Sequence, residues 1–274
     1  MENTYVNEHE IETLLNDVIS LYGYDFSEYA KASLGRRINR LFVLDKFPSF
    51  AEFRYKIRTD ADYFSRFVEE ITVNVTEMFR DPLFYRALRE EVLPILATHP
   101  FIRIWHAGCS TGEEVYSMAI LLREANLLHK SLLYATDINP KVLEKLRSGI
   151  FPMSQMKQYS ENYIASGGRE DFSDYYTANY DRAKFDSSLS KSIIVSTHNL
   201  VSDRSFNEFQ LIVCRNVLIY FDKPLKDKAF RLFDESLEKL GFLALGSKEN
   251  LKFSPVAHKF RQLDNKQKIW RKIE

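Results

Sequence analysis

At 274 residues the chain can form one large domain or two smaller ones with a substantial core. Lysine plus arginine and aspartate plus glutamate number 38 each, so the formal net charge is zero and no overall field for a polyanion is implied. Two cysteines, Cys109 and Cys214, make no zinc pattern. No stretch nears the roughly 18 apolar residues of a membrane span, and MENTYVNEHEIETLL carries no apolar leader. A soluble cytoplasmic protein with reduced, buried thiols is expected.

Residues 7–69 read as helices only. Ile11, Leu14, Leu15, Val18, Ile19 and Tyr22 recur with a helical period, and Gly23 ends that segment. Ser27 caps a second helix through Leu34, Ile38, Leu41 and Phe42, Pro48-Ser49 opens a third, and Asp60 or Asp62 caps a fourth. A small N-terminal all-α domain over residues 1–70 follows. Residues 71–81, ITVNVTEMFRD, are rich in β-branched side chains and read as an extended connector. Pro82 then opens a helix through Phe84, Leu88, Val92, Leu93 and Leu96.

From residue 82 to 274, strands and helices alternate. The strands fall at 101–106, 132–137, 192–197, 210–214 and 241–246, and the helices at 112–126, 140–147 and 224–239. That order predicts a doubly wound, mostly parallel sheet. Residues 151–191 are polar and aromatic, too long for a βα loop, and read as an inserted subdomain. Runs 258–263 and 268–273 close the chain as an antiparallel hairpin.

The run IWHAGCSTGEEVYSM, residues 104–118, joins a strand to a helix through a small-residue turn. Such a turn lets a nucleoside cofactor approach the backbone. Here the helix opens on Glu113-Glu114 with no lysine, whereas a phosphate favours a bare helix N-terminus and a cation. Carboxylates suit a ligand with amine and hydroxyl donors, which points to S-adenosylmethionine. Three further stations sit at strand ends: Asp137, suited to ribose hydroxyls; His198-Asn199-Leu200; and Cys214-Arg215-Asn216, leading to Tyr220. Singly, each has an ordinary reading as a cap, a turn residue, a surface ion pair or packing. Together they mark a nucleoside-type site. Asn74, Thr76 and Arg80 would share one side of an extended connector, and the residues alone leave open a site role or a plain linker.

In order, NVTEMFRD, WHAGCSTGEEVYSMA, ATDIN, KLRSGIF, HNL and CRNVLIYFD resemble the CheR-type chemoreceptor (MCP) protein-glutamate O-methyltransferases over about residues 15–273. YDFSEYAKASLGRRINRL is similar to that family's helical domain. The resemblance implies an α/β fold: a Rossmann-like class I S-adenosylmethionine-dependent methyltransferase sheet, with a small N-terminal all-α domain and an inserted small β-containing subdomain. It implies S-adenosyl-L-methionine as donor and S-adenosyl-L-homocysteine as product. Asn74, Thr76, Arg80, Glu114, Asp137, Asn199, Leu200, Arg215 and Asn216 match the family's cofactor contacts, and Arg80 and Tyr220 its positions beside the transferred methyl. The acceptor would be a glutamate carboxylate of chemoreceptor-like helices, in chemotaxis adaptation or related sensory signalling. Such a carboxylate is ionised near neutrality and needs no general base.

The resemblance also makes the basic helical domain a docking surface for acidic receptor helices. Arg36, Arg37 and Arg40 are the expected docking residues, Arg36 and Arg40 sharing a face. No metal, nucleic acid or membrane insertion is implied, only a peripheral association with membrane-bound receptors, and nothing requires more than a monomer. Two departures stand out. The insertion SGGREDFSDYYTANYDRAKF shows no clear glycine-spaced motif for capturing a receptor tail, and GSKENL replaces a Gly-His-Ser-Glu-type sequence, setting Lys248 beside Glu249. Two other readings remain: a methyltransferase of another substrate class, or a cofactor-binding regulatory module that docks on a signalling partner without methyl transfer.

Overall fold

The computed structural model describes residues 5–27, 29–72 and 76–274. The chain divides into two compact units, Met1–Asn74 with Tyr220–Lys228, and Val75–Ile219 with Ala229–Glu274.

Helices α1 (Glu8–Tyr22), α2 (Lys31–Leu44), α3 (Phe50–Thr59) and α4 (Ala61–Ile71) build the first unit. Helix α1 starts in a capping box, with Asn7 and Glu10 bonding each other's backbone N–H, and stops at Gly23 in the left-handed region (φ 73°). Ser49 caps α3, while Asp60 both ends α3 and caps α4. The expected Ser27 cap is not made. Asp25 Oδ1 takes both the Ser27 hydroxyl (2.6 Å) and its N–H (2.9 Å), which closes a turn before α2 begins at Lys31 with no side-chain cap. Leu14, Val18, Ile38, Leu41, Phe53, Ile57 and Phe67 are fully buried, one apolar stripe from each helix.

In the second unit, residues 76–81 form a turn rather than an extended segment. Phe79 and Asp81 have φ of 53° and 58°. Met78 and Phe79 are both wholly buried within this turn. The Phe79 N–H donates to Ser117 Oγ (2.9 Å) and Asn162 Nδ2 to the Met78 carbonyl (3.0 Å), holding the turn. Helices α5 (Pro82–Ala87) and α6 (Leu93–Leu96) are joined by one π turn, Leu88–Val92. It ends just before Pro94, which lacks an N–H and in a regular helix would collide with the carbonyl four residues back.

Elements β1 (Ile102–Ala107), α7 (Glu113–Glu124), β2 (Ser131–Asp137) and α8 (Pro140–Ser148) follow. An insertion then carries β3 (Ile150–Pro152), α9 (Met156–Ala165), β4 (Tyr176–Asn179), β5 (Arg182–Phe185) and α10 (Ser187–Ser190). The chain ends with β6 (Ile193–Thr197), β7 (Phe209–Cys214), α11 (Lys223–Ser236), β8 (Leu237–Leu245), β9 (Phe260–Asp264) and β10 (Ile269–Lys272). The main sheet has seven strands in the order β6-β2-β1-β7-β8-β10-β9. The first five run parallel, and β10 is antiparallel to both β8 and β9. Connections diverge to either side of β1 and β7, so the carboxyl ends of those strands form the switch point where such sheets bind ligands.

The helix expected over 224–239 stops at Ser236, because β8 begins directly at Leu237. Leu240 turns left-handed (φ 68°) before Gly241, and the register against β7 shifts there, so a bulge absorbs a polar stretch that reads as helix by composition. The insertion folds into a three-stranded antiparallel sheet, β3-β5-β4, over Phe151, Tyr159, Tyr163, Phe172, Tyr175 and Phe185. Glu124 on α7 ties it down, accepting from the Tyr163 and Tyr175 hydroxyls and the Arg169 N–H while paired with Arg89. Among the described residues, no helix is long and apolar enough to cross a membrane.

Candidate cofactor and active site

At the end of β1 the backbone turns left-handed three times, at Gly108 (φ 76°), Ser110 (φ 51°) and Gly112 (φ 96°). A Cβ on Gly108 would strike Val217, and one on Gly112 would strike Leu146, so both positions require glycine twice over. The Gly108 and Cys109 N–H groups both donate to the Thr136 carbonyl (2.8 and 2.9 Å), and the Ser110 N–H donates to Asp137 Oδ2 (2.9 Å). Asp137 Oδ1 also accepts from the Asn139 N–H (3.0 Å), so this buried carboxylate joins the glycine turn to the end of β2. Burial pushes its carboxyl up, opposed by those backbone donors. Asn139, not Asp137, caps α8.

The two glutamates opening α7 sit in opposite environments. Glu113 is buried, and burial lifts its carboxyl from 4.5 to about 7, partly offset by the Thr111 hydroxyl at 2.6 Å. Burial would lift Glu114 too, but His106 Nδ1 (2.9 Å) and Arg215 Nη1 (3.4 Å) outweigh it and hold that carboxyl below its usual range. A carboxylate only accepts, so His106 carries its proton on Nδ1. A raised acid stabilises the fold below its unfolded value and loses that contribution as pH rises through about 7. Glu113→Gln, which cannot ionise, is therefore expected to exceed the parent in stability by up to about 3 kcal/mol above pH ~8, the gap closing near pH ~4.5. Thermal melts across that range check it; a gap independent of pH would contradict it.

Arg215, at the end of β7, is buried and joins three segments. Nη2 meets Asp81 Oδ2 (2.6 Å), Nη1 donates to the Arg80 carbonyl (3.3 Å) as well as to Glu114, and the guanidinium lies 4.1 Å from the Phe84 ring centre. The next residue, Asn216, is left-handed (φ 61°), and Glu249 secures its loop. Glu249 Oε2 accepts from the Asn216 (3.0 Å) and Gly246 (2.6 Å) N–H groups, and Oε1 from Val217 (3.0 Å) and Ile219 (3.3 Å).

Asn199 closes its own turn, its Oδ1 accepting from the Val201 N–H (2.9 Å) and its N–H donating to Asp203 (2.8 Å); Leu200 is buried beside it. Strand β6 pairs with β2 so that Thr197 lies opposite Asp137. The structure thus brings Arg80, Glu114, Asp137, Asn199, Leu200, Arg215 and Asn216 to the carboxyl ends of four adjacent strands and the turn before α5. Thr76 is half-buried in that same unit, and Asn74 lies outside the described residues.

Tyr220 belongs to the first unit, with Arg36, Arg37 and Arg40. Arg36 and Arg40 are exposed, and Arg40 pairs with Glu70 (3.3 Å). Arg37 is half-buried and donates to the Ile71 carbonyl (2.5 Å) and to Ser33 Oγ (3.3 Å), which sets it apart from the other two.

Five buried polar atoms near the strand ends lack a hydrogen-bond partner among the described residues: His106 Nε2, Ser110 Oγ, Asn139 Nδ2, His198 Nδ1 and Arg215 Nε. Orphaned donors and acceptors at the ends of β1, β2, β6 and β7, beside a turn stripped of Cβ atoms, fit a nucleoside with hydroxyl and amine groups. No group of His, Cys, Asp and Glu is arranged to hold a metal ion among the described residues. His106, Asp81 and Glu249 are site-building residues that sequence reasoning does not assign.

Residues 74–269 match the family described as CheR methyltransferase, SAM binding domain, and residues 9–72 the family described as CheR methyltransferase, all-alpha domain. The chain is 48% identical to Cher3 of Pseudomonas putida, named as a methyltransferase, over 96% of both chains. It is 34% identical to the chemotaxis protein methyltransferase of Listeria monocytogenes, covering 89% of this chain and 90% of that one. Against the chemotaxis protein methyltransferase of Salmonella typhimurium it is 32% identical over 83% and 76%. With a Rossmann-like sheet, a glycine turn answered by carboxylates and both family domains in sequence, the chain belongs to the CheR methyltransferases and uses S-adenosylmethionine as its cofactor.

Proposed function

We propose that the protein transfers a methyl group to glutamate side-chain carboxylates of chemoreceptor-like signalling helices, forming methyl esters, in chemotaxis or a related sensory system. The observation that carries this reading is the two-part match: a helical domain precedes the cofactor domain, as expected of a protein similar over most of its length to chemotaxis protein methyltransferases.

The chemistry agrees. Bound S-adenosylmethionine supplies an electrophilic sulfonium methyl. That methyl would be open to in-line attack by an acceptor carboxylate, a C–O bond replacing the C–S bond with no proton to be moved by the protein. Negative and positive charge vanish together, so a drier site favours the transition state. Positioning is what this chain's residues supply. Glu114, held ionised by His106 and Arg215, suits the cofactor's amine, and Asp137 its ribose hydroxyls. Arg80 orients the acceptor carboxylate through its planar fork without holding it so tightly that attack is blunted, and Tyr220 steadies the substrate side.

The test is incubation with methyl-labelled cofactor and a purified receptor signalling fragment, followed by mild alkali. Label released as methanol is expected. Label that resists alkali would indicate another acceptor class, and tight cofactor binding with no incorporation would indicate a regulatory module.

A further inference from the structure

We infer that Arg37 is a positioning residue for Tyr220 rather than a docking residue, so that helix α2 holds the substrate-side tyrosine on one face while presenting Arg36 and Arg40 on another. This rests on the reading of Tyr220 as a substrate-side group.

The guanidinium of Arg37 lies over the Tyr220 ring, its central carbon 4.6 Å from the ring centre. Two anchors fix the plane of that cation. Nη1 donates to the Ile71 carbonyl at 2.5 Å, among the carbonyls left open where α4 ends, and Nη2 donates to Ser33 Oγ at 3.3 Å, one turn back along α2. A planar, delocalised cation held at both ends makes a flat seat for an aromatic ring, which a lysine ammonium would not. The tyrosine backbone is secured by the same region: its carbonyl accepts the Ala30 N–H at 2.9 Å, where α2 begins. Its neighbour Phe221 bridges Tyr29, their ring centres 5.0 Å apart. Backbone and ring of Tyr220 are therefore both set by one short stretch of the helical unit, residues 29–37.

Successive helical positions are rotated by about 100°, so Arg36 and Arg37 cannot serve the same surface. Arg36 and Arg40 are exposed, whereas Arg37 is half-buried with partners inside its own unit. A docking residue would act on receptor affinity in a salt-dependent way. A residue that seats Tyr220 would act on turnover.

A double-mutant cycle on the full chain separates these roles, with receptor-fragment methylation as the readout and S-adenosylhomocysteine binding and thermal melts alongside. Arg37→Ala should lower kcat about tenfold, leaving the receptor KM and homocysteine-product affinity within about twofold, and should add almost nothing in a Tyr220→Ala background. Arg37→Lys should restore little of the loss. Ser33→Ala, which releases only one anchor, should lower kcat about two- to threefold and keeps the test available if Arg37→Ala does not fold. A salt-dependent rise in KM, with losses that multiply in the double variant, would overturn the inference while leaving Tyr220 in place. So would unchanged turnover in Ser33→Ala and Arg37→Lys. A silent Tyr220→Ala would instead remove the substrate-side reading itself, and the inference with it.

Discussion

Glu249→Gln is expected to destabilise the fold by about 2–5 kcal/mol, although the two side chains have nearly the same shape. Both carboxylate oxygens are in use: Oε2 accepts two backbone N–H groups, from Asn216 and Gly246, and Oε1 two more, from Val217 and Ile219. An amide has one oxygen. Whichever way it is turned, its NH2 group faces two donors and leaves them buried without partners. The clamp is tightly packed: a Cβ added at Gly246 would overlap Glu249 Oε2 and the Asn216 backbone N. Because the clamped loop carries Asn216, the loss should also weaken S-adenosylhomocysteine binding by at least about tenfold, roughly 1.4 kcal/mol. Urea unfolding and calorimetric titration measure the two effects. A Gln variant as stable as the parent would show that the four N–H groups find other partners and that the clamp is not what shapes the loop.

Arg80→Ala is expected to lower kcat about 100-fold at saturating cofactor and receptor fragment, the scale at which misplacing a reacting group acts. The structure fixes the backbone at this residue firmly. Its carbonyl accepts from Arg215, the adjacent Asp81 is paired with the same guanidinium, and Phe79 is buried with its N–H on Ser117. The side chain is thus borne on a turn tied to α7 and to the end of β7. Since that turn should survive the substitution, melting temperature should change little, and a loss of turnover would report on the side chain. Full methyl transfer by Arg80→Ala would remove Arg80 from the acceptor side of the site.

Much of this arrangement is legible in the residues. Strand β7 reads directly because all six of its residues are buried and apolar or nearly so, and β1 and β2 read from similar runs. Gly108 and Gly112 announce their turn because nothing larger fits there. What escapes is set by partners distant in sequence. Glu249 clamps a loop that lies about thirty residues earlier, and no local pattern records that. Arg37 looks like its neighbour Arg36 until Ile71 and Tyr220 are placed around it. Composition also misleads where a single residue decides: Asp25 takes the hydroxyl of Ser27, and left-handed Phe79 and Asp81 put a turn into a β-branched connector. The lower end of α11 is lost to β8 because a bulge at Leu240 and Gly241 lets a polar run pair as strand.

As a member of the CheR methyltransferases, the protein is expected to esterify glutamate side chains of receptor-like helices. Tandem mass spectrometry of a receptor signalling fragment, after incubation with the protein and S-adenosylmethionine, tests this most directly. A gain of one methyl group on particular glutamates is expected, reversed by mild alkali and formed about 100-fold more slowly by Arg80→Ala. Methyl groups found on lysine or arginine nitrogen, or no gain on any receptor fragment despite bound cofactor, would contradict this reading.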